Sequence, residues 1–491
     1  MDEMSLNQAE LRVWNAFRRG EVVDFRAEGE GADPEAALRG DRWDGERTVR
    51  AKVLRALLVN GPVEAGEIPR MRVLGARITG TLDLQYGVVE HPVTLSGCHF
   101  EETPRLYGAQ VRQFSLSESR LPGLTADGIR VDGVLRLTGC HAEGPVTLGG
   151  ARVAGACFLD AARLGAGPTS GMVLGLNHAG IEGDLWAPGL VARGQVLLDG
   201  AHVTGVVNLN DARLEAPGGT ALQAETLTVG SDLHAMRLRT LGRVNLRGAT
   251  VPGQLNLARA RLRNPDGAAL RASGCQAGEF WLREAAPIEG GVNLRRAHFG
   301  LLFATPDVWP DEVRVDELSY TKLNPPLPAA RRLELLERDA EGYIPSAYEQ
   351  LTASYRRIGD DVAARTVQLA KQRRHRATLP PPARLWGHLQ DATVGYGFRP
   401  MRAAGWLAGL LLVGTVTYGL RPPRPLKSGE APGFHALAYT LDLLLPIIDL
   451  GQEKSYTPDG AYQWLSYALV LAGWVLATTF AAGVTRVLSR Q

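Results

Sequence analysis

Ionisable side chains inside an apolar segment are the first place to look for chemistry in this chain. His435, Tyr439, Asp442, Pro446 and Asp449 are spaced 4, 3, 4 and 3 residues apart, so on a helix they share one face. The residues between them include Leu437, Leu441, Leu443, Leu444, Leu445, Ile447 and Ile448. Such a seam either lines a wet path through a bilayer or lies flat at the outer interface with its polar side in water. Pro446 would kink or end the helix near Leu445. A second set is basic. Arg77, Arg130, Arg152, Arg163, His202, Arg213 and Arg261 occupy the outward position of a recurring motif, together with His99, Gln110, His141, Thr250 and His298. No acid stands in that set, which offers a basic face to anionic lipid headgroups or to an acidic protein partner. The alternative is a solvated ladder that keeps strand edges from pairing elsewhere.

Signals for an enzyme are weak. Gly165-Ala166-Gly167-Pro168 lacks the spacing of a dinucleotide fingerprint and sits at a repeat turn with no helix after it. The histidines fall at repeat positions, not in a metalloprotease motif. Cys98, Cys140 and Cys275 each follow a glycine where other copies of the repeat carry alanine, and Cys157 sits in an apolar strand position. With no CxxC pair, these read as small core residues, and no metal or cofactor is expected. Lys and Arg number 54 against 52 Asp and Glu, so charge gives no warrant for a nucleic-acid partner. Met1 to Ser5 has no basic cluster leading into an apolar stretch, so no secretory signal is expected.

The elements that must position these residues are announced by repetition. Val146-Thr147-Leu148-Gly149-Gly150-Ala151-Arg152-Val153 returns at Val196, Val244 and Val292, the starts lying 50, 48 and 48 residues apart, with an earlier copy at Val93. A second motif follows eleven residues after each of three copies, at Ala161-Ala162-Arg163-Leu164, Asp211-Ala212-Arg213-Leu214 and Arg259-Ala260-Arg261-Leu262. A fixed period over half the chain means a stacked solenoid. A unit this long holds two coils, and about ten coils at ~4.8 Å each give a rod on the order of 50 Å. Residues 1–65 form a helical N-terminal cap, with Val49, Val53, Leu54, Leu57 and Leu58 on one face before Gly61-Pro62. Residues 66–304 form the β-solenoid. Residues 305–400 form a helical linker ending in the basic run Lys371 to Arg376 and Pro380-Pro381-Pro382.

Residues 401–491 are the membrane portion. Ala403 to Leu420 and Leu465 to Leu488 are each long and apolar enough to span a bilayer, with the polar-seam helix between them. Arg384, Arg399 and Arg402 precede the first span, while Arg486 and Arg490 follow the second. Positive-inside bias then places both termini in the cytoplasm of a two-span plasma-membrane protein, against the pull of Arg421, Arg424 and Lys427 in the loop. Thr393-Val394-Gly395-Tyr396-Gly397 is letter for letter a potassium-channel filter, yet it precedes both spans and continues Phe398-Arg399-Pro400. That context predicts a glycine-softened elbow.

The small residue two places before an apolar one, as in Ala212 and Leu214, resembles the stacking pattern of pentapeptide-repeat and related right-handed β-helices. The short polar-seamed helix between two spans resembles the pore-helix hairpin of two-span channels, and bacterial proteins pairing such repeats with such hairpins form a recognisable group. In this chain Leu450-Gly451-Gln452-Glu453-Lys454 stands where a filter would follow. From the Arg47-Thr48-Val49-Arg50-Ala51 helix through Tyr348-Glu349-Gln350-Leu351 to Gly473-Trp474-Val475-Leu476, the chain also resembles actinobacterial proteins labelled membrane-associated oxidoreductases. That resemblance implies redox chemistry, although no flavin, nicotinamide, haem or redox-cysteine motif accompanies it. The expectation is a mainly β protein, a right-handed parallel β-helix with an N-terminal helical cap, a helical linker and a C-terminal transmembrane hairpin. Its expected role is a non-catalytic scaffold or sensor that binds the lipid bilayer, with a protein partner on the β-helix face and homo-oligomerisation through the hairpin. The alternatives are an ion-conducting pore and the oxidoreductase.

Overall fold

Four short strands make each coil of the central body. The computed structural model describes residues 6–26, 36–62, 66–167, 171–397, 400–427, 432–445 and 449–488. The chain divides into two units, Met1–Ser354 and Tyr355–Gln491. The first contains a parallel β-solenoid of about 11 turns.

One coil shows the logic. Its strands are Arg130–Val131, Leu135–Arg136, His141–Ala142 and Val146–Thr147. Each turns one side chain inward, and Val131, Leu135, Ala142 and Val146 are all buried. The next coil repeats them in parallel register, with Arg130↔Arg152, Leu135↔Cys157, His141↔Arg163 and Val146↔Leu174 as partners. The first two sides belong to one sheet and the last two to another. Corners need a tight reversal. Cys140 N–H donates to the Leu137 carbonyl at 3.1 Å, and Ala151 N–H to that of Leu148 at 3.1 Å. The residue before each donor, Gly139 or Gly150, has φ 62°, the left-handed position of a type II turn. At the corresponding corner, Leu159 to Ala162, the same position is filled by Ala161 at φ 53°.

The long sequence period follows from these coils. Along one row the partners run Arg152↔Gly180↔His202↔Thr228↔Thr250↔Gln276↔His298, steps of 28, 22, 26, 22, 26 and 22 residues. The unit of 48 to 50 residues is therefore one long coil plus one short coil. Extra residues of the long coils leave the register at one corner, between Glu215 and Thr220 and between Arg263 and Ala268. Short coils cross that corner with Gly242 and Gly290, where a Cβ would lie 2.5 Å from the Ala216 oxygen and 2.3 Å from the Asn264 oxygen.

The N-terminal segment closes one end twice over. Helices α1 (Gln8–Arg19) and α2 (Ala51–Asn60) bury Val13, Phe17, Val53, Leu54 and Leu57. Val23–Asp24 and Thr48–Arg50 add parallel strands to the first coil, pairing with Val73–Leu74 and Arg77–Thr79. Glu10 ties the two helices together. It completes a capping box with Asn7 and is fully buried while Arg50 Nη2 donates to its carboxylate at 2.5 Å. Burial would raise its pKa, but Arg50 and the N–H groups of Asn7 and Arg50 outweigh that and hold it below the ordinary value. At the far end strand pairing continues through Ser319–Asn324, and Asp339 accepts from Val315 N–H at 2.9 Å. Helices α3 (Ala329–Glu337) and α4 (Pro345–Arg357) follow.

The second unit holds α5 (Asp361–Thr378), α6 (Pro381–Val394), α7 (Pro400–Leu420), α8 (Ala436–Leu444) and α9 (Ala461–Leu488). Among the described residues one helix, Met401–Leu420, is long and apolar enough to cross a membrane. The other expected span falls in α9, whose side chains from residue 479 onward lie outside the described set.

The corner geometry gives a paired stability prediction. Ala161→Gly relieves a left-handed alanine and should stabilise the solenoid by about 0.5–1 kcal/mol, whereas Gly150→Ala should destabilise it by a similar amount. Thermal melts of the two variants check this; a fall for Ala161→Gly would contradict it.

Candidate functional site

The register distributes the basic positions over two sheets instead of one face. Arg130, Arg152 and His202 lie in one row, interrupted by Gly180 and continued by Thr228 and Thr250. Arg77, Arg163, Arg213 and Arg261 lie in the other sheet, in the row Arg77↔His99↔Arg120↔His141↔Arg163↔Val191↔Arg213↔Arg239↔Arg261. The cause is the eleven-residue spacing. It is half of a 22-residue coil, so successive copies of the motif alternate between sheets.

The second row contains two arginines that the motif did not flag. Arg120 stands between Ser119 and Leu121, with serine in place of the usual alanine, and Arg239 stands between Leu238 and Thr240 and lacks the small-then-apolar flanks. Counting coils instead of matching letters finds both. The N-terminal stretch of this row is neutralised across coils: Arg77 pairs with Glu101, and Arg120 Nη2 lies 2.7 Å from Glu143. Arg120 also approaches His99 Nε2 at 3.2 Å, while His99 Nδ1 meets the Ala37 carbonyl at 3.0 Å. Burial depresses the pKa of His99. Farther along, a groove of about 470 Å³ is lined by Arg213, Arg239, Arg261, Arg263, Glu215 and Glu289.

The polar seam of the second unit comes apart as well. Helix α8 stops at Leu444, so Asp449 is not on it, and Pro446 to Ile448 lie outside the described residues. His435 is the exposed N-cap residue, whereas Tyr439 is buried edge-on against Tyr418 with ring centroids 5.0 Å apart. Asp449 is exposed and pairs with Lys454. Asp442 is the member with a defined task. It is buried and accepts three backbone N–H groups, Leu450 at 2.6 Å, Gln452 at 2.8 Å and Glu453 at 3.0 Å. Gln452 extends the knot, accepting from His435 N–H at 3.3 Å and donating to the Gly433 carbonyl at 3.2 Å.

Glycines set how closely α8 lies between its neighbours. A Cβ on Gly419 would be 3.7 Å from Ala436, one on Gly414 would be 2.3 Å from Thr440, and one on Gly473 would be 2.2 Å from the Leu444 carbonyl oxygen. Over its length of ~12 Å, α8 thus runs down α7 from its C-terminal end and along α9. Helices α7 and α9 are antiparallel: Tyr418 OH donates to the Tyr462 carbonyl at 2.9 Å at one end, and Ala403 and Leu476 share a buried cluster toward the other.

Gly395–Gly397 forms a single 3-10 turn between α6 and α7, with Tyr396 at φ 53°. Arg373 and Arg376 of the basic run engage Asp391 at 2.9 and 3.3 Å. Burial pushes that carboxyl up, and the two guanidinium groups more than reverse it, leaving the pKa below the usual carboxylate value. Pro168, Arg399 and Arg490 lie outside the described residues. Cys98, Cys140, Cys157 and Cys275 are all unpaired and buried, and desolvation pushes each thiol up to about 12. Among the described residues no three metal-ligating side chains gather.

The fold and sites define a parallel β-solenoid joined to a helical unit in which α7 and α9 expose apolar side chains. The chain matches no known protein family, no curated protein and no solved structure.

Asp442 supplies the test of this unit. Asp442→Asn keeps the shape but offers one acceptor oxygen to three donors, and should destabilise the unit by about 1–3 kcal/mol. Limited proteolysis in detergent should then cut within 449–455 faster than in wild type. Unchanged protection would show that the loop is held by other contacts.

Proposed function

We propose that this protein is a non-catalytic, membrane-anchored scaffold or sensor: a right-handed β-helix held in the cytoplasm by a two-span hairpin of α7 and α9. The observation that carries this reading is the exterior of those helices. Only 17% of the most apolar window of Met401–Leu420 is buried. Leu412, Val416, Leu471 and Trp474 are 66, 52, 69 and 54% exposed. Patches of this extent aggregate in water and are at home in lipid. Trp406, Trp464 and Tyr467 add exposed amphipathic rings of the kind that settle near headgroups. The right hand follows the general chirality of parallel strand crossovers.

The position of α8 between α7 and α9 favours a second reading, an ion-conducting pore with a re-entrant helix. Wild-type protein in planar bilayers should then pass current, and silence there removes the pore while leaving the scaffold intact. A flavin or nicotinamide absorbance in the purified protein would instead support the oxidoreductase resemblance.

Topology is checked with introduced cysteines, since the native thiols are buried and poorly ionised. An impermeant maleimide should label Glu453→Cys in intact cells and Asn60→Cys only after lysis, and alkaline carbonate should leave the chain in the membrane pellet. Release by carbonate, or labelling of Asn60→Cys from outside, would overturn the proposal.

A further inference from the structure

We propose that Arg213, Arg239 and Arg261 form a binding site for a ligand carrying adjacent phosphate groups. This goes beyond the scaffold reading, because it assigns a ligand class to one face of the solenoid. The three are direct Cα partners on successive coils, and all three are exposed. Their Cα atoms are therefore stacked at ~4.8 Å. Like charges directly opposite one another across a ladder are destabilising.

Three nearby arginines have acidic partners. Arg237 pairs with Asp211 at 2.5 Å, Arg259 with Glu284 at 2.8 Å and Arg263 with Glu289 at 2.8 Å. Among the described residues, none of Arg213, Arg239 and Arg261 has an ion-pair or hydrogen-bond partner for its guanidinium. Asp211, whose pKa is lowered chiefly by Arg237 and to a smaller extent by Arg239, is already held in two hydrogen bonds by Arg237. Glu215 enters the groove but makes no ion pair among the described residues, and it is in register with Leu241, not with an arginine.

The groove takes a compact anion. Its volume is about 470 Å³, and the ladder is two coil steps long, ~10 Å. Guanidinium forks match phosphate oxygens two at a time. An extended acidic peptide is a poorer fit, because its same-side carboxylates repeat at ~6.8 Å, out of step with the coils. Linked phosphates are closer together and can each reach two neighbouring arginines.

The experiment is calorimetric titration of the full chain in detergent with sodium tripolyphosphate. Wild type should bind saturably, and Arg239→Gln and the pair Arg213→Gln/Arg261→Gln should each weaken binding by about tenfold or more. The pair Arg130→Gln/Arg152→Gln on the other sheet should stay within about twofold of wild type. Arg239→Gln should melt at or above the wild-type temperature, since it relieves repulsion, which separates a lost site from a lost fold. Phosphatidylcholine vesicles containing phosphatidylinositol bisphosphate distinguish the source: displacement of tripolyphosphate assigns a lipid headgroup, and no displacement assigns a soluble phosphate. Absence of saturable binding, or equal losses from the variants on the two sheets, overturns the site. Neither result touches carbonate extraction, so the membrane reading stands or falls separately.

Discussion

Everything in the first unit depends on coil-to-coil register. Each strand is two residues long over much of the solenoid, too short to be stable alone, and gains its order from the identical position one coil above and below. The constraint is strict at inward positions, where Val131, Val153, Ile181, Val203 and Val229 succeed one another in one row. A polar side chain there would lose water without gaining a partner. It is loose at the outer corner, where long coils carry extra residues and short coils do not. Stacking therefore fixes the inward pattern and leaves length and outward chemistry free to vary.

That asymmetry explains what could be read before the structure. Recurrent valine, leucine and alanine announce the solenoid because the core tolerates few alternatives, and the period of 48 is visible because long and short coils alternate. The side on which an outward residue falls is harder to read. It depends on counting half-coils through corners of unequal length, so motif matching merged Arg130 and Arg163 into one face and passed over Arg120 and Arg239. In the second unit Tyr439 and Asp442 lie on one short helix. The seam failed at Asp449 because the helix ends at Leu444. Spacing carries no information beyond the end of the element that gives it meaning.

Asp442 shows how one buried carboxylate is accommodated within an apolar unit. A polar group away from water is tolerated when hydrogen-bond partners are fixed around it. Here they come from the backbone at Leu450, Gln452 and Glu453, so the side chain ties the return segment to α8. The close approach that makes this geometry available belongs to Gly414 and Gly473, whose missing side chains leave room for Thr440 and the Leu444 carbonyl. With those N–H groups on its two oxygens, Asp442 is a structural anchor first. Any conduction path beside α8 would have to draw its polarity from other groups.

Along much of its length the outward surface of the solenoid is matched in charge from coil to coil. Where a cation faces the next coil, the chain repeatedly supplies an acid on that coil: Glu101 for Arg77, Glu143 for Arg120, Asp211 for Arg237, Glu284 for Arg259 and Glu289 for Arg263. Such pairs are individually weak at an exposed surface, but their recurrence shows that neighbouring coils are matched in charge. Arg213, Arg239 and Arg261 depart from that matching three times in succession, one more than the directly stacked Arg130 and Arg152 of the other sheet. A run of unmatched like charges is the kind of local departure expected where function competes with stability. Because register is what forces the three charges together, the same stacking that builds the core also concentrates positive potential at this groove.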